Sequence, residues 1–98
     1  MIVYIADRKM NILGIASTGL PDGLVIVDDN KNEDIDSGVS SFECRIAFNG
    51  STRKQIAEMC AAGNYLLRSN GNDNGFYTII DTEIDTKKQE AYLYAEDA

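Results

Sequence analysis

The sequence predicts a mainly β domain of the α+β type, with about seven antiparallel strands curled into a partly closed barrel and one short helix, about Thr52 to Ala62. Three observations predict it. Apolar residues recur at two-residue spacing in several short runs, which is the pattern of strands with one face on a core. Clusters rich in Gly, Asn and Asp separate those runs, and only one stretch carries helical spacing. The connections are short, which favours antiparallel pairing, and many strands in a small chain bury their faces by curling the sheet.

Taken in order, Ile2 to Ala6 is the first strand, and Asp7-Arg8-Lys9-Met10-Asn11 turns the chain into Ile12 to Ser17, completing a hairpin. Gly14 within the second strand marks a bulge or a close backbone approach. Thr18 to Gly23 is turn-forming and holds the single proline. Leu24 to Val27 is a third strand. It leads into an acidic run, Asp28 to Asp36, expected to be an exposed loop anchored by Ile35.

The central stretch, Val39 to Leu67, organises the rest. Phe42, Cys44, Ile46 and Phe48 alternate with polar or small residues in a fourth strand. Asn49-Gly50 ends it, and Thr52 with Gln55 has the form of a capping box, in which each side chain satisfies an unpaired backbone N–H at a helix start. Ile56, Met59 and Cys60 then make one apolar stripe, with Arg53, Lys54 and Glu58 facing away. Gly63 supplies the left-handed residue that closes the helix, and Tyr65 to Leu67 begins the fifth strand. Arg68 to Gly75 is a dense turn signal into the sixth strand, Phe76 to Thr86, and Asp85 to Gln89 turns it into the seventh, Glu90 to Ala95.

The 98 residues form one domain, long enough to bury roughly 60 to 65% of the surface of the unfolded chain. Nine basic against sixteen acidic residues give a net charge of −7, which argues against a nucleic-acid partner, since such binding needs clustered cations on phosphates. Arg53-Lys54 and Lys87-Lys88 read as solvated pairs. No apolar run approaches the ~20 residues of a membrane span. Met1 to Ala6, followed at once by Asp7-Arg8-Lys9, lacks the order of a signal peptide. With no such signal, Cys44 and Cys60 are expected to be reduced and buried, each on an apolar stripe.

The absence of histidine removes His-dependent triads and His metal sites together. Asp28, Asn30 and Asn32 have the spacing of the first three ligands of an EF-hand, but the sixth position is Glu33 and the twelfth Val39, where that loop needs Gly and Glu. A solvated acidic loop is the expectation, with weak divalent binding at Asp28 to Asp36 left open. Asp81, Glu83 and Asp85 alternate along one strand, a pattern of exposed edges. No metal or cofactor is expected, and no catalytic residue is assigned. Tyr77, Ile79, Tyr92 and Tyr94 lie on a hairpin with apolar or aromatic residues on both faces, so they are the candidate oligomer interface, unless they pack beneath the helix.

The closing blocks Asn74-Gly75-Phe76-Tyr77-Thr78-Ile79-Ile80-Asp81-Thr82-Glu83 and Gln89-Glu90-Ala91-Tyr92-Leu93-Tyr94-Ala95-Glu96-Asp97-Ala98 resemble the end of the N-terminal domain of phage tail-associated minor structural proteins, the prophage endopeptidase tail or tail-hub family. Ile2 to Ala6, Ile12-Leu13-Gly14 and Ser41-Phe42-Glu43-Cys44-Arg45-Ile46 are similar to that family too. The likeness lies in the order of elements across the chain rather than in one motif. It implies a virion component of the tail tip, assembled in the bacterial cytoplasm: a β-barrel module that forms a trimeric ring and contacts the distal tail ring. It also implies that the chain is the N-terminal domain of a longer protein, whose lytic or receptor-binding regions lie further along. Two rival expectations stand beside it. One is a fragment of a cell-wall hydrolase using Glu43, Asp81 or Glu83, and the other a small cytoplasmic ligand-binding barrel, which needs a deep apolar pocket.

Overall fold

A computed structural model of the chain describes residues 1–18, 24–33, 40–47 and 53–98. Within them lie strands β1 (Ile2–Ala6), β2 (Ile12–Ser17), β3 (Leu24–Glu33) and β4 (Ser40–Ala47), helix α1 (Arg53–Met59), then β5 (Tyr65–Asn70), β6 (Asp73–Asp85) and β7 (Glu90–Asp97). The strands close into a barrel in the order β1-β2-β3-β4-β7-β6-β5. The seven strands and single helix among the described residues agree with the sequence pattern, and the barrel is closed. Thr52 of the capping box, Phe48, Ile35 and the turn residues 19–23 lie outside the described residues.

Two expectations are corrected. The acidic run is not a loop over its first part, because Asp28 to Glu33 continue β3 and pair with Arg45 through Ser40 of β4. Strand preference is set largely by cross-strand neighbours, so an eight-residue β4 draws a partner of matching length out of residues with little intrinsic preference for it. The second correction concerns direction. Six seams are antiparallel, but β2 and β3 run parallel, touching at Ala16 with Leu24 and Ser17 with Val25. That short seam closes the barrel.

Alternation fills the interior. Val3 and Ile5 of β1, Phe42, Cys44 and Ile46 of β4, Leu66 of β5, Tyr77 and Ile79 of β6, and Ala91, Leu93 and Ala95 of β7 all point inward and are almost wholly buried. Phe42 and Tyr77 stack with centroids 5.5 Å apart, and the Arg68 guanidinium lies 5.5 Å from the Phe42 centroid, so the cation sits against an aromatic face. Three irregularities adjust the described wall. The register shifts between Ile5 and Ala6 opposite β2, between Ile26 and Asp28 opposite β4, and between Ile79 and Asp81 opposite β7, where the extra residue leaves both Ile80 and Asp81 on the outer face.

The helix packs on the barrel, seating Ile56 and the following Cys60 in the core cluster. It is shorter than its apolar stripe predicts. Asn64 Nδ2 donates to the carbonyls of Met59 at 3.0 Å and Glu58 at 3.3 Å, satisfying groups that a longer helix would have bonded internally. Gly63 then takes φ +95°, and its N–H donates to the Ile79 carbonyl at 2.8 Å. The Thr82 hydroxyl donates to the Cys60 carbonyl at 2.5 Å. These bonds fasten the end of the helix to β6.

Candidate functional site

Register decides which residues share the outside of the wall, because side chains that face each other across a seam lie on one face. On one side of the barrel, Ile15 pairs with Tyr4, Tyr4 with Leu67, and Leu67 with Phe76. This is a continuous outward row across β2, β1, β5 and β6. Ile15 is 48% exposed and Phe76 37%, while Tyr4 and Leu67 are half-buried. Tyr65 joins the row with its ring 5.0 Å from that of Phe76. Ile12 and Leu13 extend it along β2, both exposed. A shallow cleft of ≈ 450 Å³ opens at Tyr4, Leu67, Ser69, Asn74 and Phe76. An exposed apolar stretch of this kind is a candidate contact surface.

The other side of the barrel is polar. One outward row joins Asn30, Glu43, Tyr94 and Asp81, and the next joins Asp28, Arg45, Tyr92 and Glu83. Glu43, Asp81 and Glu83, the three carboxylates of the hydrolase expectation, therefore do meet on one face, gathered around Tyr92. Partial burial pushes the Tyr92 hydroxyl above its ordinary pKa, and the negative charge and hydrogen-bonding carboxylate of Glu43, then Glu83 and Asp81, push the same way. Burial and Glu96 raise Tyr94 likewise, with an opposing hydrogen bond from Ser41. The Tyr94 hydroxyl donates to Glu96 Oε1 at 3.2 Å. A cleft of ≈ 430 Å³ runs along Arg45, Glu83, Asp85, Lys87 and Tyr92 on the outer surface.

The candidate interface residues separate. Tyr92 and Tyr94 face outward and are partly exposed, whereas Tyr77 and Ile79 are core residues at 2% and 1% exposure, with no surface to offer another chain. The reason is the two-residue period of β6: Tyr77 and Ile79 fall on the inward parity, and Phe76 and Thr78 on the outward one. The sequence reading missed the row Ile15, Tyr4, Leu67 and Phe76. Its signal was present, since Phe76 precedes the inward Tyr77 by one residue, but the row exists only once β1 is placed between β2 and β5.

Neither cysteine is available for chemistry at the surface. Cys44 and Cys60 are both free and buried. Burial pushes the Cys44 thiol up to about 12, with Cys60 and Asp29 adding to the shift, and burial alone takes Cys60 to about 12. Among the described residues no group of three or more His, Cys, Asp and Glu side chains is placed to hold a metal ion. No helix among them is long and apolar enough to cross a membrane. No protein-family model, curated protein or solved structure matches the chain.

Proposed function

We propose that this chain is a structural assembly domain of a phage or prophage tail tip, a baseplate-hub barrel that builds a trimeric ring and contacts the distal tail protein, with no catalysis of its own. The observation that carries the reading is the outward apolar row Ile15, Tyr4, Leu67 and Phe76, which gives the barrel a wall suited to burial against another protein. The order of elements that resembles the tail-hub N-terminal domain supports it. So does an interior occupied by Phe42, Tyr77 and aliphatic side chains, which disfavours the ligand-binding barrel. In this reading the row, rather than Tyr77 and Ile79, is the subunit contact, and Tyr92 and Tyr94 serve a second contact on the opposite wall. The protein acts in the virion, after assembly in the bacterial cytoplasm.

The test is co-assembly of the full-length protein with the distal tail protein encoded beside it, followed by electron microscopy. Rings of the two proteins are expected, and Ile15→Glu or Phe76→Glu should abolish them while leaving the circular dichroism of the chain unchanged. Adjacent tape-measure and distal-tail genes are expected as well. Release of peptidoglycan fragments by the isolated chain, lost in Glu43→Gln or Glu83→Gln, would replace this reading with the hydrolase.

A further inference from the structure

Among the described residues, strand β3 has one paired edge and one open edge. On one side β4 pairs with it from Val25 to Glu33. On the other side β2 meets only Leu24 and Val25, and among the described residues no strand pairs with that edge from Ile26 onward. Val27 is 50% exposed, and Asp28, Asp29, Asn30 and Asn32 are exposed. An open edge presents alternate N–H and C=O groups to any second strand, and charges on it restrict which strand can bind.

Here the charges select rather than forbid. Two copies of a strand pair antiparallel about a two-fold axis only if one residue faces its own copy, because neighbouring pairs alternate between the hydrogen-bonded and non-hydrogen-bonded kinds and cannot be exchanged by the axis. Centring on Asp28 or Asp29 sets a carboxylate against itself. Centring on Lys31 sets ammonium against ammonium and Asp29 against Glu33. Centring on Asn32 needs partners beyond Glu33, the last described residue of β3. Asn30 is the remaining centre whose pairs all lie within the described strand. It places Asn30 opposite Asn30, Asp29 opposite Lys31 on both sides, and Asp28 opposite Asn32 on both sides, so every pair is an amide–amide, ion or amide–carboxylate pair. The irregularity between Ile26 and Asp28 bends the strand just beyond this stretch and ends it.

We propose that the open edge of β3 is a self-recognition site, at which two copies of the chain join antiparallel over Asp28 to Asn32 with Asn30 at the two-fold axis. Lys31 also interacts within its own chain, and an ammonium group carries three donors that more than one contact can share. The inference is independent of the tail-hub reading. A two-fold contact differs from the contacts around a three-fold ring, and in such an assembly it joins two rings face to face. Both copies carry −7, so the contact forms where salt screens their long-range repulsion, over about 8 Å at physiological ionic strength.

The experiment introduces one cysteine at a time into the full chain, as Asp28→Cys, Asn30→Cys or Asn32→Cys, and oxidises with glutathione disulfide. Each cross-link joins two thiols as a disulfide and reduces one glutathione disulfide to two glutathione thiols. Only position 30 faces its own copy, so Asn30→Cys is expected to give covalent dimer about tenfold faster than the other two. Sedimentation equilibrium supplies the charge test without cross-linking. Wild type should dimerise as its concentration approaches about 1 mM, as befits a small interface. Asp29→Lys should be monomeric, and Asp29→Lys combined with Lys31→Asp should dimerise again. Amide exchange on the unaltered protein should show protection at 28–32 growing with concentration. Equal cross-linking at the three positions, a monomeric wild type at the highest concentration, or concentration-independent exchange at 28–32 would overturn the proposal.

Discussion

A β-carbon on Gly14 would stand 2.5 Å from Met59 Sδ and 3.0 Å from its Cε. Gly14 faces inward opposite Ile5, so the missing side chain is what lets the helix reach the wall of the barrel. Gly14→Ala must therefore displace Met59, at an expected cost of about 1–3 kcal/mol, as for other overpacked cores. Met59→Ala in the same chain clears the space, so the two losses should add to less than their sum. Denaturant melts of both single variants and the double variant measure that coupling.

The bond from the Thr82 hydroxyl to the Cys60 carbonyl ties β6 to the residue following the helix. Thr82→Val keeps the shape and removes the donor, leaving a part-buried carbonyl unsatisfied. A loss of about 1–2 kcal/mol is expected. Because the helix also hangs from Gly63 and Ile79, amide exchange should quicken in α1 more than in β4 or β7. Uniform quickening through the barrel would mean that the helix and wall unfold as one unit.

How far the fold is legible in the sequence depends on where its determinants lie. The hairpins β1-β2, β5-β6 and β6-β7 could be read because their turns are local: Asp7 and Asp85 each take backbone N–H groups through Oδ1 within four residues. The outer half of β3 could not. Asp28 to Glu33 owe their extended form to β4, and no local signal distinguishes them from a solvated loop. The parallel seam was hidden for the same reason, as it rests on two long-range pairs alone, Ala16 with Leu24 and Ser17 with Val25. At the candidate site, the carboxylates on Glu43, Asp81 and Glu83 were visible as residues, and their meeting around Tyr92 came only from the order β4-β7-β6. The apolar row depends on β1 lying between β2 and β5, a long-range fact.

Asp7 carries a pH dependence of definite sign. Its Oδ1 accepts from the N–H groups of Lys9 and Asn11, both at 2.9 Å, and Oδ2 accepts from Asn11 Nδ2 at 3.1 Å. The backbone and side-chain bonds from Asn11, with Lys9, hold the carboxyl below its ordinary value of 3.8. A depressed folded-state pKa contributes stability above the unfolded value, and that contribution is lost as pH falls through the folded one. Wild type should therefore lose stability relative to Asp7→Asn as pH drops below about 4. The melting temperatures of the two proteins, measured from pH 7 downward, should converge. A constant difference would show that the turn does not sense the charge.

The two cysteines give the opposite dependence, at the alkaline end. In the folded chain both thiols titrate near about 12, against an ordinary value of 9.0. Between those limits the unfolded state releases protons that the folded state retains, so stability must fall as pH rises. Each thiol contributes a slope of up to about 1.4 kcal/mol per pH unit. Tyr92 and Tyr94, also raised, add to the loss at the upper end of the range. Replacing both cysteines with alanine removes the thiol share, at a packing cost felt equally at neutral pH. The check is therefore the slope of stability between about pH 8 and 9, below ordinary tyrosine titration, rather than its absolute level. Wild type should lose stability over this interval and the double variant should be nearly flat. A thiol reagent supplies the kinetic counterpart: Cys44 and Cys60 should react only as fast as the chain opens, and prompt reaction of either in native protein would place that thiol at the surface and contradict its burial.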